Sequence, residues 1–196
     1  MTEKRAEGTG ERRALRADAR RNRERVLAAA REAFAAEGIS VPLDEIARRA
    51  GVGPGTVYRH FPTKEALFHA AIVDNIERMI TYARELTTAP DPGAAFFDFL
   101  DHTVTEGAVK RDLAEALASH HTLEISTPTK QLHAEIETLL RRAQQCSAVR
   151  PDIDIEDLLR ILKGVMLTTH TPDIDDRQRR RTFAIVFDGL RPVIRQ

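Results

Sequence analysis

Two short helical patterns separated by three residues set the strongest constraint on this fold. Leu43, Ile46, Ala47 and Ala50 share one face of a helix that Gly51 ends. After Val52-Gly53, Pro54 suits the first position of a next helix, in which Val57 and Phe61 form the inward-facing pair. Upstream, Val26, Ala30, Ala33 and Phe34 fall at i, i+4, i+7 and i+8, one face of a third helix running from Asn22 to a stop at Gly38. Two short helices joined by a three-residue turn that starts with glycine are the helix-turn-helix layout. Its second helix enters the major groove of DNA.

The run Gly51-x-Gly53-x-Gly55 also raises a nucleotide-loop reading, which would make the chain an enzyme. A dinucleotide loop follows a buried strand, because the strand's end and the next helix together form the pyrophosphate seat. Here the residues before it, Asp44 to Ala50, are helical. The spacing is not G-x-G-x-x-G, and no Gly-Lys-Ser/Thr ending follows, so the turn reading fits better. The second helix then offers Thr56, Tyr58, Arg59 and His60 to a partner, while Pro54 and Gly55 leave room for close approach of the backbone.

The remainder is helical as well. Thr63 is placed to cap a fourth helix with the apolar face Phe68, Ile72, Ile76, Met79 and Ile80. Pro90-Asp91-Pro92-Gly93 turns to loop composition and marks residues 88–92 as the linker candidate. Further helices are expected at about 93–107, 111–121, 128–146, 155–170 and 175–191, with Asp91-Pro92 and Thr127-Pro128 as cap-then-proline starts. No stretch alternates with period two between turn residues. The expected fold is all-α, with a flexible basic arm at 1–20, a helix-turn-helix DNA-binding domain at 21–67 and a larger helical domain at 68–196.

Charge supports that partition. Overall net charge is zero, yet residues 1–64 hold 14 Lys/Arg against 9 Asp/Glu and the rest hold 16 against 21. A basic front and an acidic back point to a polyanion partner for the first part only. Within the arm, Arg12, Arg13, Arg16, Arg20, Arg21 and Arg23 either follow a neighbouring minor groove or its phosphates, or form a solvated tail. No apolar run approaches the roughly 18 residues of a membrane span, and the N-terminus lacks the apolar core of a secretory signal. A single cysteine, Cys146, excludes an internal disulfide and fits a reducing, cytoplasmic compartment.

The stretches Leu43-Asp44-Glu45-Ile46-Ala47-Arg48-Arg49-Ala50-Gly51-Val52 and Gly55-Thr56-Val57-Tyr58-Arg59-His60-Phe61-Pro62-Thr63-Lys64-Glu65-Ala66-Leu67 resemble the DNA-binding domain of TetR-type transcriptional regulators. The resemblance spans roughly residues 22–70, and residues 149–159 and 186–192 are more loosely similar to C-terminal segments of such regulators. It implies that Tyr58 and His60 contact phosphates, that Lys64 clamps one, and that Thr56 and Arg59 face bases or nearby backbone. An arginine fork suits guanine O6 and N7. Two departures stand out. Gly53-Pro54 replaces a polar residue followed by a basic or small one, and Pro42 occupies the usual Ser/Thr cap position of the second helix.

The same resemblance implies a homodimer through the last two helices, about 155–170 and 175–194, and a pocket for a small apolar or amphipathic ligand. Leu158, Leu159, Ile161, Leu162, Val165, Met166 and Leu167, with Phe183, Ile185, Val186, Phe187, Leu190, Val193 and Ile194, make faces broader than one-sided packing requires. Phe96, Phe97, Phe99 and Leu100 form an aromatic cluster with Thr103, Val104, Leu117, His121, Leu139 and Met166 as neighbours, a composition that suits a ligand pocket or an ordinary core. His102, His120, His121, His133 and His170 show no metal-ligand spacing, and no nucleophile elbow surrounds Ser119-His120. No cofactor or catalytic residue is expected. The function expected is that of a repressor released from a near-palindromic operator by ligand. The alternatives are a ligand-independent DNA-binding protein or a nucleotide-binding enzyme using residues 51–56.

Overall fold

Apolar residues spaced for helices become helices throughout. A computed structural model describes residues 3–106, 123–169 and 173–192, and no strand occurs among them. In order the elements are α1 (Glu3–Glu37), α2 (Leu43–Ala50), α3 (Pro54–His60), α4 (Lys64–Thr87), α5 (Pro92–Glu106), α6 (Leu123–Gln145), α7 (Ile155–Thr169) and α8 (Asp176–Leu190). The chain divides into two units, Met1–Asp74 and Asn75–Gln196.

In the first unit α1 packs on α2 and α3, which pack on each other. The core is the expected set: Val26, Ala30, Ala33 and Phe34 of α1, Leu43, Ile46, Ala47 and Ala50 of α2, then Val57 and Phe61, all buried. Phe34 meets Phe68 of α4 edge-on, ring centroids 5.2 Å apart, a geometry that favours the ring quadrupoles. An ion pair from Arg31 to Asp74 adds a second tie between α1 and α4.

In the second unit α5 packs on α6 and α8, and α7 lies against both α6 and α8. Phe96, Phe99, Leu100, Leu139, Leu158 and Phe183 are its most deeply buried large side chains. The Asp91-Pro92 start holds: the Asp91 carboxylate accepts from the Ala94 amide at 2.9 Å, and Pro92 sits where no amide hydrogen is required. A capping box opens α8, with the Asp175 carboxylate accepting from the Gln178 amide at 2.7 Å and the Gln178 side chain accepting from the Asp175 amide at 3.0 Å. Between α6 and α7, the Gln144 side-chain amide donates to the carbonyls of Arg150 and Ile153, at 3.1 and 2.9 Å.

Three expectations are set against the structure. Residues 1–20 are expected as a flexible basic arm, and from Glu3 onward they belong to α1. Its Ala, Arg and Glu are good helix formers, and Arg21 pairs with Asp18 and Arg20 with Glu24 along the helix. Second, α6 starts at Leu123 and carries Pro128 inside it, so Thr127-Pro128 is not its start. Proline there removes one backbone donor. Third, the two compact units meet within α4, between Asp74 and Asn75, a few residues past the expected limit at 67–68, and the loop near 88–92 joins α4 to α5. The helix expected at 111–121, with Leu117 and His121, lies outside the described residues.

Candidate nucleic-acid interface

The turn between α2 and α3 is built by backbone hydrogen bonds. Gly51 has φ of 63° and ψ of 37°, the left-handed conformation that costs glycine least. From there the Gly51 amide donates to the Arg48 carbonyl at 3.1 Å and the Val52 amide to the Ala47 carbonyl at 3.0 Å. That pair of bonds is a Schellman closure, which satisfies two of the carbonyls left over at a helix end. A side chain from α1 holds the same corner, since Arg25 Nε donates to the Ala50 carbonyl at 3.0 Å and its Nη2 to the Gly51 carbonyl. The guanidinium also faces the negative end of the α2 dipole. Sequence reasoning missed Arg25, because its role depends on how α1 crosses α2.

Ion pairs run along α2, and one of them ties it to α1. Arg48 grips the Glu45 carboxylate with two bonds of 2.8 and 2.7 Å, and Arg49 reaches both Glu45 at 2.7 Å and Glu37 of α1 at 2.6 Å. Hydrogen bonds from Arg48 and then Arg49 hold the Glu45 carboxyl down to about 2. Pro42 caps α2 without a side-chain hydrogen bond, as its chemistry dictates.

On this frame α3 begins at Pro54 behind Gly53, whose φ of −67° any residue can adopt. A Cβ added at Gly53 or at Gly55 would meet nothing within 4 Å. Neither glycine is needed by the fold, and with Pro54 exposed between them the tip of α3 is bare. Val57 is fully buried and Phe61 nearly so, which turns the next residues outward. Tyr58 is 48% exposed, Arg59 is exposed, and neither has a hydrogen bond or ion pair among the described residues. Thr56 and His60 are half-buried beside them.

Lys64, at the start of α4, is half-buried and donates to the Ser40 carbonyl at 3.1 Å. An ammonium has three donors, so two remain for an anion. The Thr63 hydroxyl accepts from the Ala66 amide at 3.1 Å and caps α4 as expected. Pro54, Gly55, Thr56, Tyr58, Arg59, His60 and Lys64 are thus carried by α3 and by the first residue of α4, within one unit. A basic guanidinium, a phenol and a partly engaged ammonium around a bare helix tip suit phosphate and base edges of DNA.

The residues expected to line a ligand pocket divide by burial. Phe96, Leu100, Val104 and Leu139 are buried core residues. Thr103 spends its hydroxyl on the Phe99 carbonyl at 2.8 Å. Phe97 and Met166 are half-buried. The Phe97 ring stands 5.3 Å from Phe96 and 6.2 Å from Phe187, and the Arg191 guanidinium lies 4.2 Å from its centroid. Leu117 and His121 lie outside the described residues, as do His120 and His170. Among the described residues no three His, Cys, Asp or Glu side chains gather as metal ligands, and no helix is long and apolar enough to cross a membrane.

Comparison with known proteins agrees with this geometry. Residues 26–71 match the family model of bacterial regulatory proteins of the tetR family, and residues 91–192 match the C-terminal domain of SbtR-like transcriptional regulators. A TetR transcription regulatory protein from Mycobacterium vanbaalenii is similar in structure with a TM-score of 0.71 and 41% identity, covering 91% of this chain and 99% of that one. A TetR regulator from Streptomyces coelicolor reaches a TM-score of 0.70 at 31% identity, over 87% of this chain and 99% of its own. The HTH-type transcriptional regulator UidR of Escherichia coli K12 is 29% identical across 92% of this chain and 94% of its own length.

Proposed function

This chain belongs to the TetR family of bacterial transcriptional regulators, and from that premise we propose that it is a homodimeric repressor released from a near-palindromic operator by a small molecule. Each protomer inserts α3 into a major groove. Arg59 and Thr56 face base edges, Tyr58 and His60 meet phosphates, and Lys64 holds a further phosphate with the donors that Ser40 leaves free. Pro54 and Gly55 let the backbone approach closely. The observation that carries this reading is the exposed, unpaired Tyr58-Arg59 pair on a short helix whose other face is locked by Val57 and Phe61.

Dimerisation through α7 and α8 is supported by what those helices leave uncovered. Ile161 and Leu167 are each 38% exposed and Ile185 is 64% exposed. Val165, Met166, Val186 and Phe187 are half-buried. Large aliphatic side chains on two adjacent helices are the composition of a subunit seam, and two copies close it as a four-helix bundle about a two-fold axis. The ligand is apolar or amphipathic and enters beside the aromatic cluster of α5, where Phe97 is half-buried. Ligand and operator oppose each other, and the coupling is reciprocal: each weakens the other's binding by the same factor.

Two variants test the contact assignments on a duplex recovered by selection. Arg59→Ala relaxes preference at one base position by about 1–3 kcal/mol. Lys64→Ala weakens binding to all sequences and makes the salt slope shallower by about 0.9 per protomer. Unchanged affinity and slope for Lys64→Ala, read by fluorescence anisotropy across a salt series, would refute the phosphate clamp.

A further inference from the structure

One stripe of α1 changes character along its length. Positions 16, 20, 23, 27, 30 and 34 follow one another in steps of four and three, so they lie on a single helix face. At its C-terminal end the stripe is Leu27, Ala30 and Phe34, buried against the rest of the first unit. At its N-terminal end the same stripe is Arg16, Arg20 and Arg23, all exposed. The face that makes the core therefore continues past it as arginine, on the side where α2 and α3 lie. Arg23 fixes the direction: its guanidinium sits 5.5 Å from the ring centroid of Phe61, the C-cap residue of α3.

Acidic side chains do not cancel the stripe. Asp18 lies two residues from both Arg16 and Arg20, on the far side of the helix, and is paired with Arg21. Glu24 stands on the flank, 3.6 Å from Arg20, with both side chains more than half exposed. An exposed pair of this kind contributes little and yields readily to a stronger anion. Arg16 has no hydrogen bond or ion pair among the described residues. From Arg16 to Arg23 the stripe runs about 10 Å at 1.5 Å per residue.

We propose that the Arg16–Arg20–Arg23 stripe of α1 is a second DNA-binding surface, which grips the phosphate backbone just outside the half-site read by α3. It rests on the DNA-binding reading of α3 and adds to it an affinity that is independent of sequence and lengthens the bound segment. The charge of the stripe fits the phosphate backbone, and Arg23 ties the stripe to Phe61, the C-cap residue of α3. Arg21, held by Asp18 on another face, takes no part.

The test compares wild type with Arg16→Gln/Arg20→Gln, leaving Arg23 on Phe61. The probes are two duplexes recovered by selection from a random pool, one ending at the outer edges of the half-sites and one extended by about ten base pairs on each side. On the extended duplex the double variant has a salt slope shallower by about 1.8 per protomer, two contacts at about 0.9 each. On the short duplex it matches wild type, and Arg16→Lys/Arg20→Lys keeps the wild-type slope on both. If wild type binds and the glutamine pair leaves the slope on the extended duplex unchanged, the stripe is wrong and the α3 reading stands. A loss equal on both duplexes, with a lowered thermal midpoint, would make the arginines structural and overturn the proposal. Failure of wild type to bind any duplex would remove the α3 reading and the stripe with it.

Discussion

Two helices of this chain open on a proline followed at once by glycine, and the two glycines live in opposite surroundings. At α3 the segment is Gly53-Pro54-Gly55, exposed, with no atom within 4 Å of a Cβ added at either glycine. At α5 it is Asp91-Pro92-Gly93, and a Cβ at Gly93 would stand 2.5 Å from the Cβ of Ala148. Asp91 caps α5 with its carboxylate, whereas Gly53 caps α3 with nothing. The second unit thus uses its glycine to pack one segment against another. The first keeps two glycines that its own packing does not require, together with an uncapped start. Room left unused inside the molecule is room for something outside it.

The largest effect expected from this contrast is at Gly93. Gly93→Ala drives a methyl into Ala148 and destabilises by about 1–3 kcal/mol, as overpacking does. Adding Ala148→Gly recovers part of that loss, and denaturant titration of the single and double variants measures both. A Gly93→Ala chain as stable as wild type would break the comparison on its crowded side.

Gly55→Ala tests the open side. Glycine in a helix costs up to roughly 0.5–1 kcal/mol relative to alanine, less in the first turn where Gly55 stands, so the variant is more stable by at most about that amount. Its affinity for a selected duplex falls by about tenfold, equivalent to about 1.4 kcal/mol, because the added methyl stands between backbone and DNA. Greater stability with unchanged affinity would mean that the bare tip does not touch the DNA.

The smallest effect concerns the charges paired along α2. Glu45, lowered from 4.5 to about 2 by Arg48 and Arg49, contributes stability that is present above its unfolded value and lost as pH falls through its folded value. Glu45→Gln is therefore slightly less stable than wild type near neutrality, and the gap closes between about pH 4.5 and 2, the same window over which Glu45 titrates. Thermal midpoints across that range check it, and a gap independent of pH would contradict the assignment.

Much of the first unit was legible because its signals are local. Gly51 ending α2, Pro54 opening α3 and the inward pair Val57 and Phe61 each state a backbone or packing requirement within a few residues. The α5 start at Asp91-Pro92 was legible for the same reason. Thr127-Pro128 carried the same signal and misled, since α6 begins at Leu123 and passes through Pro128. The boundary at Asp74–Asn75 was invisible because α4 continues through it without a change of pattern. Arg25 was invisible too, because one arginine among many is distinguished only by lying beside the carbonyls of Ala50 and Gly51. Leu100 and Leu139 look alike as pocket or core in the sequence, and both are buried.

The central claim, that a bare-tipped α3 reads DNA from each half of a symmetric dimer, is tested most directly by selecting bound duplexes from a random pool with the full chain. The account predicts an inverted repeat whose half-site centres lie about one helical turn, or a multiple of it, apart. Recovery of DNA without a shared sequence, or of a single unrepeated site, would contradict it.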